Sequence, residues 1–238
     1  MRILAIETAT PASSVALGED GGLVAMSLHV DDRGHVGFLM PAIDFCFAKA
    51  GWDREDIDIV AVDVGPGPYT GLRAGIAAAQ AIAAAVGVPI VTAGSLTVLA
   101  FRAATGHRRI WPVVDVRRGQ VATAPYLPVP GGVMRDGETE LVDGAGLAAL
   151  LDSDRNDTLL VGDWSGVDGE VLRGLHRSRR GRPRYPSADV LLEIADMRAD
   201  SDNVANPEDV RPIYLREPDA QINWSDFREE GVWPGTEI

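Results

Sequence analysis

Three acidic residues stand where chemistry could be done. Glu7, Asp63 and Asp115 each lie at the close of an apolar run (2–7, 59–64 and 110–116), where the chain turns. Carboxylates at strand ends can hold magnesium beside a phosphate. The loop nearest to a phosphate cradle is Gly65-Pro66-Gly67-Pro68-Tyr69-Thr70-Gly71-Leu72-Arg73. Its prolines fix φ and remove donors, while Gly67 and Gly71 permit close approach or positive φ. Thr70 suits a helix N-cap whose free amides would face the strand end, and open α/β sheets bind ligands there. Yet no lysine follows either glycine in the manner of G-x-x-x-x-G-K-[ST], and the dinucleotide spacing is missing. Two readings stand. One is a rigid elbow that orients the next helix, favoured because most glycine turns are structural; the other is a ligand cradle. Without phosphate loops, the magnesium reading of the carboxylates is the weaker one.

The remaining reactive side chains are isolated. His35 has no partner at H-x-x-x-H spacing, because residue 39 is leucine, and reads as a helix-start or surface histidine. Cys46, the single cysteine, lies on an apolar helical stripe and reads as a buried thiol. No catalytic, metal-binding or cofactor-binding residue is assigned. Arg173, Arg177, Arg179, Arg180, Arg182 and Arg184, with His176, form a basic run whose usual explanation is a solvated loop. It could touch RNA in an assembly, though no interleaved aromatics offer base stacking.

Runs of apolar and turn residues predict the elements that hold these groups. Residues 2–7, 13–17 and 23–29 read as strands, 35–50 as a helix, 59–64 as a strand, 70–86 as a helix, 88–92 as a strand and 95–104 as a helix. The order is βββαβαβα. The second half repeats it in outline: strands at 110–116, 120–126 and 133–135, a helix at 144–151, a strand at 158–162, and helices at 167–175 and 187–199. Glu7 and Asp115 then occupy equivalent places in two related lobes. The expected division is 1–106, 107–215 and a tail, 216–238. From residue 206 onward Pro207, Pro212, Trp224 and Trp233 mark a segment expected to wrap the surface or fray.

The helix at 35–50 carries Val36, Leu39, Met40, Ile43, Cys46, Phe47 and Ala50 at core-facing spacing, and Phe38, Ala42 and Phe45 on a second stripe. Such a helix is either sandwiched inside the fold or offers a partner surface. The helix at 70–86 displays Ala74, Ala77, Ala78, Ala81, Ala84 and Ala85, small side chains that let another backbone approach. Together the two helices could make an intersubunit seam.

Composition bounds the function. The chain has 238 residues, 46% hydrophobic and 24% charged, as expected of a soluble globular protein. Its 35 acidic residues against 22 basic ones leave a formal charge of −13, which argues against this chain alone holding nucleic acid. One cysteine rules out an internal disulfide and fits a reducing compartment. Glu7 stops the first apolar run too early for a secretory signal. Residues 74–93 are nearly uncharged, but Pro89 divides them into a helix and a strand, so no membrane span is expected. The expected location is cytoplasmic.

Four motifs arrive in order: Ile6-Glu7-Thr8-Ala9-Thr10; His35-x-x-x-Leu39-Met40-Pro41-Ala42-Ile43; the 65–73 loop; and Asp115-Val116-Arg117-Arg118-Gly119-Gln120-Val121. Across residues 1–125 the chain thereby resembles the TsaB (YeaZ) family, a partner subunit in tRNA threonylcarbamoyladenosine modification; beyond that the likeness is one of layout. The loop with Gly65, Pro66, Gly67, Tyr69, Thr70, Gly71, Leu72 and Arg73 is the most specific marker. The resemblance implies an actin-like ATPase (ASKHA, ribonuclease H-like) α/β fold of two βββαβαβα lobes. It also implies a non-catalytic subunit that binds and activates TsaD, joined by TsaE, in placing threonylcarbamoyl on N6 of adenosine 37 of tRNAs reading ANN codons. ATP and metal would sit on the partner subunits, tRNA would be met only within the complex, and the free chain could form a homodimer. Carried onto this sequence, the partner interface comprises His35, Phe38, Leu39, Ala42, Ile43, Cys46, Thr70, Arg73, Ala74, Ala77 and Ala81. Two positions depart from the family: Val36 stands where serine is common, and Pro68 likewise. Val161-Gly162-Asp163-Trp164-Ser165-Gly166 is too degenerate for an adenosine loop. The rival reading is a stand-alone actin-fold ATPase or small-molecule kinase using Glu7 and Asp115.

Overall fold

A computed structural model describes residues 1–31, 34–199 and 204–215. The expected tail 216–238, with Trp224 and Trp233, lies outside them. The first half runs β1 (Arg2–Glu7), β2 (Ala12–Glu19), β3 (Gly22–Val30), α1 (His35–Ala50), β4 (Ile59–Asp63), α2 (Tyr69–Val86), β5 (Ile90–Ala93) and α3 (Ser95–Ala103). The second runs β6 (Arg109–Asp115), β7 (Gln120–Thr123), β8 (Tyr126–Val129), β9 (Gly132–Arg135), β10 (Glu140–Asp143), α4 (Gly144–Ser153), β11 (Thr158–Gly162), α5 (Gly169–Gly174), β12 (Ser178–Arg180), α6 (Ala188–Arg198) and β13 (Val204–Ala205).

The duplication is visible in the strand order. One sheet reads β5-β4-β1-β2-β3 and the other β12-β11-β6-β7-β10, so each strand has a counterpart. β1 and β4 pair in parallel, as do β6 and β11. The third strand of the second lobe is therefore β10, a segment not expected to be a strand, whereas β8 and β9 form an inserted hairpin beside β6. The predicted strand 120–126 is split by residues 124 and 125 into β7 and β8.

Both faces of the first sheet are covered, which is why its parallel strands read as unbroken apolar runs. Leu4, Ile6, Val60 and Val62 meet α1 and α2, and the alternate residues Ile3, Ala5, Ile59 and Ala61 meet α6. The last helices cross over. α3 follows the first sheet but packs Leu96, Leu99, Ala100 and Ala103 on Ile110 and Val114 of the second. α6 follows the second sheet but packs Leu191, Leu192, Ile194 and Ala195 on the first, and β13 adds a strand beside β5. α6 and β13, expected with the second half, thus pack with the first sheet.

Candidate functional site

The carboxylates at the strand ends turn inward. Glu7 and Asp63 sit side by side on parallel strands, since Ile6 is in register with Val62. Glu7 Oε1 accepts from the Ala9 amide at 2.8 Å, and Asp63 Oδ1 accepts from the Gly65 amide at 2.7 Å and from Ser95 Oγ at 2.8 Å. Both side chains are buried, and Glu7 Oε2 and Asp63 Oδ2 have no other donor. Burial first, then the Asp63 charge, holds the Glu7 carboxyl well above its usual range; burial raises Asp63 as well. Two carboxyls side by side away from water favour retention of a proton. Asp115 does the same turn-closing work, accepting from the Arg117 amide at 2.7 Å. Asp163, at the end of β11, accepts from the Ser165 amide at 3.1 Å and is the counterpart of Asp63. Burial opposes its ionisation, but the Ser165 bonds and Arg184 outweigh it and lower its pKa. Sequence reasoning missed that fourth carboxylate; an acidic residue two before a turn amide at each strand end was the available signal.

The 65–73 loop is an elbow built around close backbone approach. α2 starts at Tyr69 with Pro68 as its N-cap, so Thr70 lies inside the helix and is not the cap. Glycines at positions 67, 71 and 75 make one groove on which residues 8–9 lie. A Cβ at Gly67 would meet Ala9 O at 1.9 Å, one at Gly71 would meet Thr8 O at 2.2 Å, and one at Gly75 would meet Thr8 Oγ1 at 2.2 Å. Thr8 Oγ1 donates to Gly71 O at 2.8 Å and locks the turn in place. The turn after β1 is occupied by α2, and one oxygen of each carboxylate by a backbone amide.

The chain's last described segment straps this elbow. Ile213 N donates to Val64 O at 2.7 Å, and Gln80 Nε2 donates to Pro207 O at 2.7 Å and Val210 O at 3.3 Å. Arg73 Nε donates to Tyr214 Oη at 2.7 Å, with the Tyr69 and Tyr214 rings 4.6 Å apart. Residues 206–215 therefore wrap the surface, the first of the two expected outcomes. Beside them lies a cavity of about 480 Å³, walled by Val36, Tyr69, Thr70, Arg117, Arg118 and Tyr214. Arg117 and Arg118 hold φ of 69° and 58°, a region non-glycine residues seldom occupy.

The expected interface residues divide sharply. His35, Leu39, Ala42, Ile43 and Cys46 are buried against the first sheet, and Phe38 is partly buried with its ring 5.7 Å from His29. His35 is no surface histidine: its Nδ1 lies 2.7 Å from Ser13 Oγ. Cys46 Sγ lies 3.6 Å from Val15 O, and burial pushes its thiol up to about 11. In the single chain these five face the core, and His35 also lines the cavity of about 480 Å³. The outward apolar residues are instead Val36 (67% exposed), Met40 (47%) and Phe45 (47%), with Phe45 about 140° around the helix from Met40, although spacing alone puts the first two on the core face. Next to α1, the sheet's outer strand β3 exposes Leu23, Val24, Leu28 and Val30. On α2, Thr70, Arg73, Ala77 and Ala81 are exposed and Ala74 is half-buried. α1 and α2 pack against one another, so these groups border one helical face.

The class follows from fold and site together: two duplicated lobes of the actin-like ATPase fold, with the first lobe's strand-end turn sealed onto a glycine groove. The sequence model of TsaD, described as tRNA N6-adenosine threonylcarbamoyltransferase, matches residues 23–144. The tRNA threonylcarbamoyladenosine biosynthesis protein TsaB of Escherichia coli (strain K12) is 33% identical over 226 residues, covering 91% of this chain and 95% of that protein. Its Bacillus subtilis (strain 168) namesake is 29% identical, covering 94% and 98%. The solved structure of YeaZ from Pseudomonas aeruginosa matches with a TM-score of 0.76 and 26% identity, covering 90% of this chain and 99% of that one. The chain belongs to the TsaB (YeaZ) family, and the likeness extends well beyond residues 1–125. No helix among the described residues is long and apolar enough to cross a membrane.

Proposed function

We propose that this chain is a subunit of the machinery that places a threonylcarbamoyl group on N6 of adenosine 37 in tRNAs reading ANN codons. In this reading it binds and activates TsaD and catalyses no step itself. ATP and metal reside on the partner subunits TsaD and TsaE, and tRNA is met within the assembly. One observation carries the partner-binding part: α1 leaves Val36 and Met40 open to solvent along one edge of its outward face and Phe45 along the other, and β3 exposes further apolar residues. Exposed apolar side chains of this size suit the desolvated core of a protein interface. The same face could pair two copies of the free chain. The inward-turned Glu7 supports a non-catalytic role over the rival ATPase or kinase, which would use it with Asp115 facing a nucleotide.

Calorimetry of the isolated chain with MgATP, followed by a transfer assay on tRNA with TsaD and TsaE, tests the reading. No turnover by the chain alone and a rate with TsaD that depends on its presence are expected. Tight nucleotide binding with hydrolysis by the isolated chain would sink it.

A further inference from the structure

We infer that the arginine-lined edge of the second sheet is a docking surface for RNA backbone, separate from the apolar helical face. This rests on the reading of the chain as a tRNA-modification subunit. The basic run is a loop only in part. Residues 178–180 form β12, the outermost strand of the sheet, paired in parallel with β11 from Thr158↔Ser178 to Leu160↔Arg180. Charge on an outer strand commonly serves only to block edge-to-edge association. Two further features point to a ligand.

The first is the lack of counter-charge. Arg179, Arg180 and Arg182 are exposed and make no ion pair among the described residues. In a chain with 35 acidic residues against 22 basic ones, the fold has kept these cations apart from abundant carboxylates. The second is a cavity of about 560 Å³ against them, whose wall includes Arg180, Arg182, Arg184, Trp164 and Asp163. Asp163 is the one acid on that wall, and Arg184 neutralises it at 3.1 Å, leaving Arg180 and Arg182 as net positive charge. The Trp164 indole is half-buried at the same cavity, a face on which an unpaired base can stack. The aromatic partner that the linear run lacks is thus supplied from the end of β11. Guanidinium groups are the side chains best suited to phosphate oxygens. None of these residues belongs to α1, α2 or β3, so the edge stays open when the apolar face is covered.

The test is a titration of a fluorescently labelled tRNA transcript with an ANN-reading anticodon, across a salt series. It is run on the full chain co-purified with TsaD and, at low salt, on the chain alone. The variant R179A/R180A/R182A is expected to bind about tenfold more weakly and to reduce the slope of log affinity against log salt by about 2–3, one for each phosphate left without its arginine. R179K/R180K/R182K should retain most of the slope, separating charge from packing. Unchanged affinity and slope in the alanine variant overturn the inference. Loss of TsaD co-purification by that variant also overturns it, because the arginines would then serve the protein interface. Failure of the wild-type chain to co-purify with TsaD counts against the proposed function alone, and the isolated-chain titration still decides the RNA surface.

Discussion

Replacing Gly71 by alanine should destabilise the protein, although the same change in most helices does the opposite. Alanine in a helix is favoured over glycine by up to about 1 kcal/mol, from backbone entropy. At Gly71 the added methyl would sit 2.2 Å from the Thr8 carbonyl oxygen, far inside van der Waals contact. That oxygen is backbone in a turn whose neighbour is fixed by the Glu7–Ala9 bond, so it cannot swing aside as a side chain would. Overpacking of this kind costs about 1–3 kcal/mol, and a rigid neighbour puts the cost near the upper end. The net expectation is a loss of about 1–2 kcal/mol. For a chain of this size that lowers the melting temperature by roughly 2–8 °C. Gly37 supplies the control, because it also lies in a helix and a methyl there meets nothing within 4 Å. G37A should raise the melting temperature. G75A should fall between them, since its obstacle is the Thr8 hydroxyl, which can rotate at the loss of one hydrogen bond. Thermal melts of the three variants decide the matter. If G71A matches or exceeds G37A, the glycine groove does not hold the β1 turn on α2 and the elbow is not sealed.

Two other expectations concern buried groups. Glu7 and Asp63 are raised above their ordinary values of 4.5 and 3.8, so the folded chain retains a proton that the unfolded chain releases. Their contribution to stability is therefore greatest below that range and declines as pH rises toward the folded-state values. Urea midpoints should fall between pH 5 and pH 8 in the wild type and fall less in E7Q; a steeper fall in E7Q contradicts the raised Glu7 carboxyl. Cys46 is buried with its thiol pushed up to about 11, so alkylation by iodoacetamide at pH 8 should be slow and should track unfolding as denaturant is added. Fast labelling of the native chain would show that α1 opens readily.

Much of the first lobe was legible because its elements carry strong local signals. α1 matches the predicted 35–50, and β1 the predicted 2–7, since an unbroken apolar run or a full helical period leaves little choice. Helix rotation was harder. Val36 and Met40 fit a core stripe by spacing, yet Ala42 and Phe47 share the buried face, and only the adjoining sheet decides which of two apolar stripes it covers. His35 reads as polar and terminal in sequence; its burial depends on Ser13, twenty-two residues away on β2. The second lobe was less readable where tertiary context overrides composition. β10 is only four residues long and β12 is short and polar, and their strand character comes from pairing with β7 and β11. The crossing of α6 to the first sheet has no local signature at all. Glycines 67 and 71 were legible as points of close approach, but what approaches them, the turn after β1, was not.

In the proposed assembly α1 presents Val36, Met40 and Phe45 to TsaD while Leu39 and Ile43 hold the core. Co-purification of tagged M40E/F45E with TsaD, beside the wild type, tests this most directly. Both side chains are about half exposed, so the variant should melt close to the wild type, within the roughly 0.5 kcal/mol typical of surface changes. The expected result is that M40E/F45E stays folded and loses TsaD. A folded M40E/F45E that retains TsaD at wild-type stoichiometry would contradict the proposed seam.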